Sequence, residues 1–196
     1  LLGGLNDQVE GDREVLSALA GESADAVLAR FMSLVAAADP PVLRRGGVWY
    51  LVSKADAWEA LSRYLGRDLL ERFETVAVGA LGTPDPSYEL PPDQRWAAGL
   101  YQEKRAHSGL LTRAIADTLA LLGARGGVLS LGGGLTAADV AARAVRRLFE
   151  QAGRDWTRWA SLAPVMPLLA EAAPDEFLNA LDGGLAGDSP SPVMGL

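Results

Sequence analysis

The side chains best suited to chemistry are few and poorly clustered. His107 is the only histidine, standing beside Ser108 and near Glu103. A nucleophilic serine needs an imidazole within hydrogen-bond reach and a third group to orient it. Neighbouring residues on a helix diverge by about 100°, so His107 and Ser108 are badly placed for that work. Ser108 reads instead as a helix cap, and no catalytic residue is predicted. With no cysteine in the chain, thiolate catalysis, disulfides and Cys-ligated zinc are excluded together. The acidic pair Asp175-Glu176 lies at a predicted helix start, where it stabilises the helix dipole. Neither a metal nor a cofactor is expected.

The glycine-rich run Gly123–Leu135 must be weighed as a phosphate cradle. A P-loop ends in Gly-Lys-Ser/Thr after a strand, and this run has no lysine. The dinucleotide fingerprint fails on spacing. Gly134-Leu135-Thr136 opens onto a helix and could hold an anion on free N–H groups, but the composition favours a flexible connection and an internal boundary. The one basic concentration is Arg143, Arg146, Arg147, Arg154 and Arg158. It reads as a solvated face paired with nearby acids, the sharper alternative being a contact for an acidic partner.

The elements that would position these residues are mostly helical. Residues 1–11 look like a frayed end or half of a lost helix. Asp12 reads as the N-cap of a short helix with Val15, Leu16 and Leu19 on one face, stopped at Gly21. Ser23 caps a longer helix running to Ala38, and Pro40-Pro41 end it. Val42–Arg45 and Val48–Val52 flank Gly46-Gly47, which suits a type I′ hairpin with positive φ at both glycines. Ser53 and Asp56 resemble a capping box before a helix with Trp58, Leu61 and Leu65 on one face. Asp68 opens a further helix, and Gly82–Pro92 is a turn-rich connection. Helices follow over 93–107, 108–122 and from Thr136 through Phe149, then short ones from Asp155, before Ala172 and from Pro174. Trp49, Trp58, Trp96, Trp156 and Trp159 are expected to anchor the core.

The predicted fold class is therefore all-α with one small β-hairpin. It divides into a winged-helix-like domain (1–66), a helical domain of irregular hairpins (67–181) and a flexible tail (182–196). A DNA-reading winged helix turns Arg, Lys, Asn, Gln or Ser toward the bases. Here the outward side of the long helix offers Ala29, Arg30, Ser33, Ala36 and Ala37, a smooth face better fitted to packing on protein. The net charge of −7 also weighs against a polyanion partner. Protein is the predicted partner, either other domains of the same polypeptide or a second protein. The alternative is a winged-helix DNA-binding regulator using Arg30, Arg44 and Arg45. No run is long enough to cross a membrane and no signal peptide is visible, so a cytoplasmic location is expected.

Several segments resemble one family. They are Asp39-Pro40-Pro41 through Gly46-Gly47-Val48-Trp49 and Leu51-Val52-Ser53, then Asp85-Pro86 with Glu89-Leu90-Pro91, Thr118–Gly123 and Leu168–Pro174. Together they look like a helical segment of large bacterial proteins of the STAND-type P-loop NTPase kind. The resemblance implies a regulatory or sensor region beyond an NTPase module, in proteins that act as signal-transducing switches. It carries over no catalytic residue.

Overall fold

A computed structural model describes residues 1–95, 105–186 and 191. The chain begins with strand β1 (Gly4–Asn6), then helices α1 (Glu10–Ala20) and α2 (Ala24–Val35). Strands β2 (Val42–Arg45) and β3 (Val48–Leu51) form the predicted hairpin. Strand β1 pairs antiparallel with β3, giving a three-stranded sheet in the order β1-β3-β2. Helix α3 (Lys54–Leu61) follows, then α4 (Arg67–Leu81) and α5 (Gly109–Arg125). A small hairpin, β4 (Ser130–Gly132) with β5 (Leu135–Thr136), leads into α6 (Ala137–Ala152). Helices α7 (Trp156–Leu162), α8 (Met166–Ala172) and α9 (Pro174–Leu185) complete an all-α fold with minor β-structure.

Local chemistry sets the helix starts. Ser23 accepts from the Ala26 N–H and Ser108 from the Leu111 N–H. Thr136 and Asp139 form a full capping box on α6, whereas Ser53 and Asp56 make only the half in which Ser53 accepts. The core sits where α5 packs on α6 and α8, with α4 and α9 against α6. Phe73, Leu111, Ile115, Leu119, Val140 and Leu169 are completely buried there. Trp49 and Trp159 are buried anchors as predicted, but Trp58 and Trp156 are half-buried, and Trp96 lies outside the described residues.

The structure corrects several expectations. Residues 1–11 are not frayed: β1 bonds to β3, and α1 begins two residues before Asp12. Asp12 is no N-cap but a fully buried carboxylate inside the helix. It accepts the Asn6 N–H at 2.8 Å, the Ser108 N–H at 2.8 Å and the Ser108 hydroxyl at 2.5 Å. Helix α2 ends at Val35, so Ala36 and Ala37 follow the helix rather than continue its stripe. In the first hairpin only Gly46 has positive φ (62°). Gly47 is there for room, since a Cβ would stand 2.6 Å from Gln8 and 2.7 Å from the Asp7 carboxylate.

The glycine-rich run is likewise no open connection. Gly123 presses on α8, where a Cβ would meet the Ala172 carbonyl oxygen at 2.0 Å, and the rest forms a short 3-10 turn and the β4-β5 hairpin. The helix expected over 93–107 falls largely on 96–104, outside the described residues; 105–107 form a bend. Most of the expected tail lies outside them too, although α9 continues to Leu185.

The expected division between residues 66 and 67 is not a gap in packing. Helix α1 packs on α4, β1 on α5, and one buried cluster runs across both sides. Asp12–Ser108, Lys54–Asp117 and the Thr118 hydroxyl on the Leu1 carbonyl tie the same two regions together.

Candidate functional site

The three-stranded sheet offers one face to α2. On it Trp49 lies 6.4 Å from Phe31 between ring centroids, and its indole N–H donates to Asp7 at 2.7 Å. Arg44 stacks over the same indole at 5.0 Å and also donates to Asp7, at 3.0 Å. Register explains the cluster: Trp49 stands opposite both Leu5 on β1 and Arg44 on β2, so the three side chains share one face of the pleat.

Beside this cluster the packing stops short. Pro40 and Pro41 prevent α2 from continuing, and the chain leaves the sheet at Val52 to start α3 on its Ser53 cap. A groove of about 610 Å³ is left between the end of α2, the 39–41 loop, the sheet and α3. Phe31, Leu34, Pro41, Tyr50, Val52 and Leu61 are among its lining residues. Val52 and Leu61 are each 56% exposed, and Leu34 and Tyr50 are exposed as well. The volume falls in the range of binding sites, and the lining has the usual mix of apolar walls with a few polar groups. Ser53 already spends its hydroxyl on the Asp56 N–H. Asp39 and Asp56 supply the charge, and neither carboxylate has a partner among the described residues. Such an arrangement binds apolar surface; its lining contains no imidazole and no lysine or arginine.

The predicted contact residues Ala29, Arg30, Ser33, Ala36 and Ala37 are all exposed on or just past α2. Ser33 donates to the Arg30 carbonyl at 2.7 Å. Of the cations proposed for DNA, Arg30 is held by Glu22 and raised above its ordinary pKa by that hydrogen bond, while Glu22 is lowered by it. Arg44 is drawn onto Trp49 and Asp7, which leaves Arg45 exposed at the wing without a partner among the described residues.

The second basic group is also accounted for. Arg143 and Arg147 both bind the buried Glu74, at 2.7 and 3.1 Å, and Arg146 binds Glu176 at 2.6 Å. Glu176 is held below its ordinary pKa chiefly by the Arg146 hydrogen bond. Arg154 donates to the Ala186 carbonyl and Arg158 to that of Gly82. The pairing expected for this cluster is therefore present, although part of it is internal rather than solvated.

Around His107 the structure brings an acid to Ser108 without using the imidazole. Ser108 donates its only hydroxyl proton to Asp12, and His107 Nδ1 is buried without a partner. Glu103 lies outside the described residues. A neighbouring cavity of about 50 Å³ holds Asp85, Arg105 and Ser161. Burial raises the Asp85 pKa, but hydrogen bonds from Ser87 and Arg105 outweigh it and the net shift is downward. Another hollow, of about 380 Å³, lies between α6 and α9 over Phe149 and Trp159. Among the described residues no cluster of His, Cys, Asp or Glu could hold a metal ion, and no helix is long and apolar enough to cross a membrane.

Periodicity gives the outward positions of α2 through Ser33 and gives no sign of the groove. Leu34 falls off the apolar stripe of α2, and Leu61, on the predicted face shared with Trp58 and Leu65, is exposed. The signal present was the density of apolar residues around Pro40-Pro41, in excess of what two short strands can bury. Comparison with protein-family models, curated proteins and solved structures finds no match. What the fold and site define is thus a class alone: a helical stack carrying a sheet-and-helix unit with an open apolar groove.

Proposed function

We propose that the chain is a non-enzymatic protein-interaction module, a regulatory region of a larger bacterial switch protein of the STAND-type NTPase kind that its motifs resemble. The carrying observation is the groove of about 610 Å³ ringed by the exposed apolar side chains Leu34, Val52 and Leu61. Contiguous exposed apolar surface on a soluble domain marks a contact site. The internal pairing of Arg30 and Arg44 supports protein over DNA as the partner, because duplex binding draws its affinity from cations free to neutralise phosphate.

Surface footprinting of the whole polypeptide tests this reading. Leu34, Leu61 and the face of Ala29 and Ser33 are expected to be protected there and open in the isolated chain. Ala29→Arg is expected to abolish that protection while leaving the fold intact. Equal solvent access in both forms, or protection that survives Ala29→Arg, removes the proposal. A salt-sensitive gel shift on duplex DNA that needs Arg45 would replace it with the regulator reading.

A further inference from the structure

The groove carries information about what fills it. Its lining comes from α2, α3 and the sheet, a combination suited to a helix laid apolar side down. The exposed collar extends past the cavity: Val52 and Leu61 keep more than half of their surface open to solvent at its edge. A small molecule would fill the hollow and leave those outer surfaces wet, whereas a helix covers both. Asp39 and Asp56 stand at the groove, and no cationic side chain belongs to its lining. Some carboxylates of the N-terminal region are matched, Asp7 by Arg44, Glu22 by Arg30 and Asp25 by Arg13, whereas Asp39, Asp56, Glu14 and Glu59 have no partner among the described residues. Of these unmatched acids Asp39 and Asp56 are the two that line the groove, so a cation brought there meets carboxylates that no side chain already holds.

From this charge pattern we infer that the groove receives a basic amphipathic helix of a partner protein or domain. The helix's apolar stripe lies on Leu34, Pro41, Val52 and Leu61, and its lysine or arginine side chains meet Asp39 and Asp56. The inference rests on the docking reading above and names the chemistry of the partner. A second copy of this chain fits less well. A two-fold contact brings the same surface against itself, so each groove would meet the other's aspartates in a pair of molecules each carrying −7.

Fluorescence anisotropy on the full chain tests it with two dye-labelled helical peptides sharing one leucine stripe. One carries lysines beside the stripe and the other glutamates. The lysine peptide is expected to bind roughly tenfold or more tightly than the glutamate peptide, with a preference that shrinks as salt rises. Asp39→Asn with Asp56→Asn is expected to erase most of that preference. A control with the same charge change, Glu14→Gln with Asp68→Asn, keeps it, because both of those acids are exposed outside the groove lining. Leu61→Asp is expected to abolish binding of the lysine peptide without unfolding the chain.

Equal binding of both peptides, or an unchanged preference in the Asp39/Asp56 variant, overturns the inference. So does a concentration-dependent dimer that Leu61→Asp dissolves, which would identify a second copy as the occupant. If neither peptide binds while Leu61→Asp still removes the footprint in the whole polypeptide, the basic-helix inference falls and the docking reading stands. If the footprint also survives Leu61→Asp, the docking reading falls with it.

Discussion

The stack of α4 to α9 and the unit of β1, α2, β2, β3 and α3 were built from similar residues and finished differently. In the stack even a buried acid is matched: Glu74 is held by Arg143 and Arg147, and Arg146 meets Glu176. Its large apolar side chains on α5 and α6 are mostly buried, Leu110 at the start of α5 being exposed, and its other exposed ones, such as Val128, Leu178 and Leu185, line neither of the hollows in the stack. In the sheet unit Leu34, Tyr50, Val52 and Leu61 stand exposed around one groove, and two aspartates there have no partner among the described residues. Stability explains a sealed region well. It does not explain a gathered apolar collar, whose exposure is unfavourable unless something covers it. On the docking reading proposed above, the difference separates the part of the chain that holds it together from the part offered to a partner.

The sharpest way to break that contrast is to cut into the sealed side. Phe73 on α4 is completely buried within the common core. Phe73→Ala is expected to remove about 3–5 kcal/mol of stability, from lost transfer energy and the cavity left behind. Urea unfolding followed by tryptophan fluorescence measures it. A loss below about 1 kcal/mol would mean that the stack is as loosely finished as the sheet unit.

The joint between the two regions comes next. Asp12 sits on α1 but accepts two bonds from Ser108 at the start of α5. Removing the carboxylate leaves the Asn6 and Ser108 N–H groups and a hydroxyl with their acceptor gone. Asp12→Ala is therefore expected to cost about 3 kcal/mol. It should also speed hydrogen exchange at Leu111, whose N–H depends on the Ser108 cap. If exchange at Leu111 stays slow, the Asp12–Ser108 joint does not hold the two regions together, and apolar contact with the Lys54–Asp117 and Thr118–Leu1 ties does.

How much of this was legible follows the same divide. The stack's helices could be read from their periodicity and caps, because apolar residues at helical spacing and a threonine with an aspartate three residues on act locally. Thr136 with Asp139 needs no knowledge of the fold. What could not be read was set by distant partners. Strand β1 has three residues and exists only because β3 lies beside it. Asp12 looked like a cap because the Ser108 that satisfies it is nearly a hundred positions away. Gly123 looked flexible because the Ala172 carbonyl that demands a glycine belongs to another helix. The α2 face was legible because outward positions follow from the inward ones. The groove was not, since a gap is a property of elements that fail to meet.

Acid provides a gentler probe of the stack's matched charges. Asp139 is lowered by its bonds to Thr136, Asp155 mainly by its bond to Thr157, and Glu176 by Arg146. Groups with depressed folded values contribute stability that is fully present above the ordinary carboxylate range, about pH 4, and is lost as pH falls through the folded values. Urea midpoints are expected to stay level from neutral pH to about pH 5 and to fall below about pH 4. Glu176→Gln removes one contributor and flattens that fall; an unchanged profile would show that this pair is screened away in solution.

The smallest effect on folding belongs to the groove, and its smallness is the point. Leu61 closes α3 with more than half of its surface in water. Its removal gives up little buried area, so Leu61→Ser is expected to change stability by no more than about 0.5 kcal/mol. The same substitution is expected to lower binding of a hydrophobic dye to the native chain, because it takes a leucine from the collar. Phe73→Ala, made in the core, should do the reverse on both counts, costing stability and leaving native dye binding no lower. If Leu61→Ser instead destabilises the chain as a core substitution would, the collar is part of the packing and the groove is closed in solution.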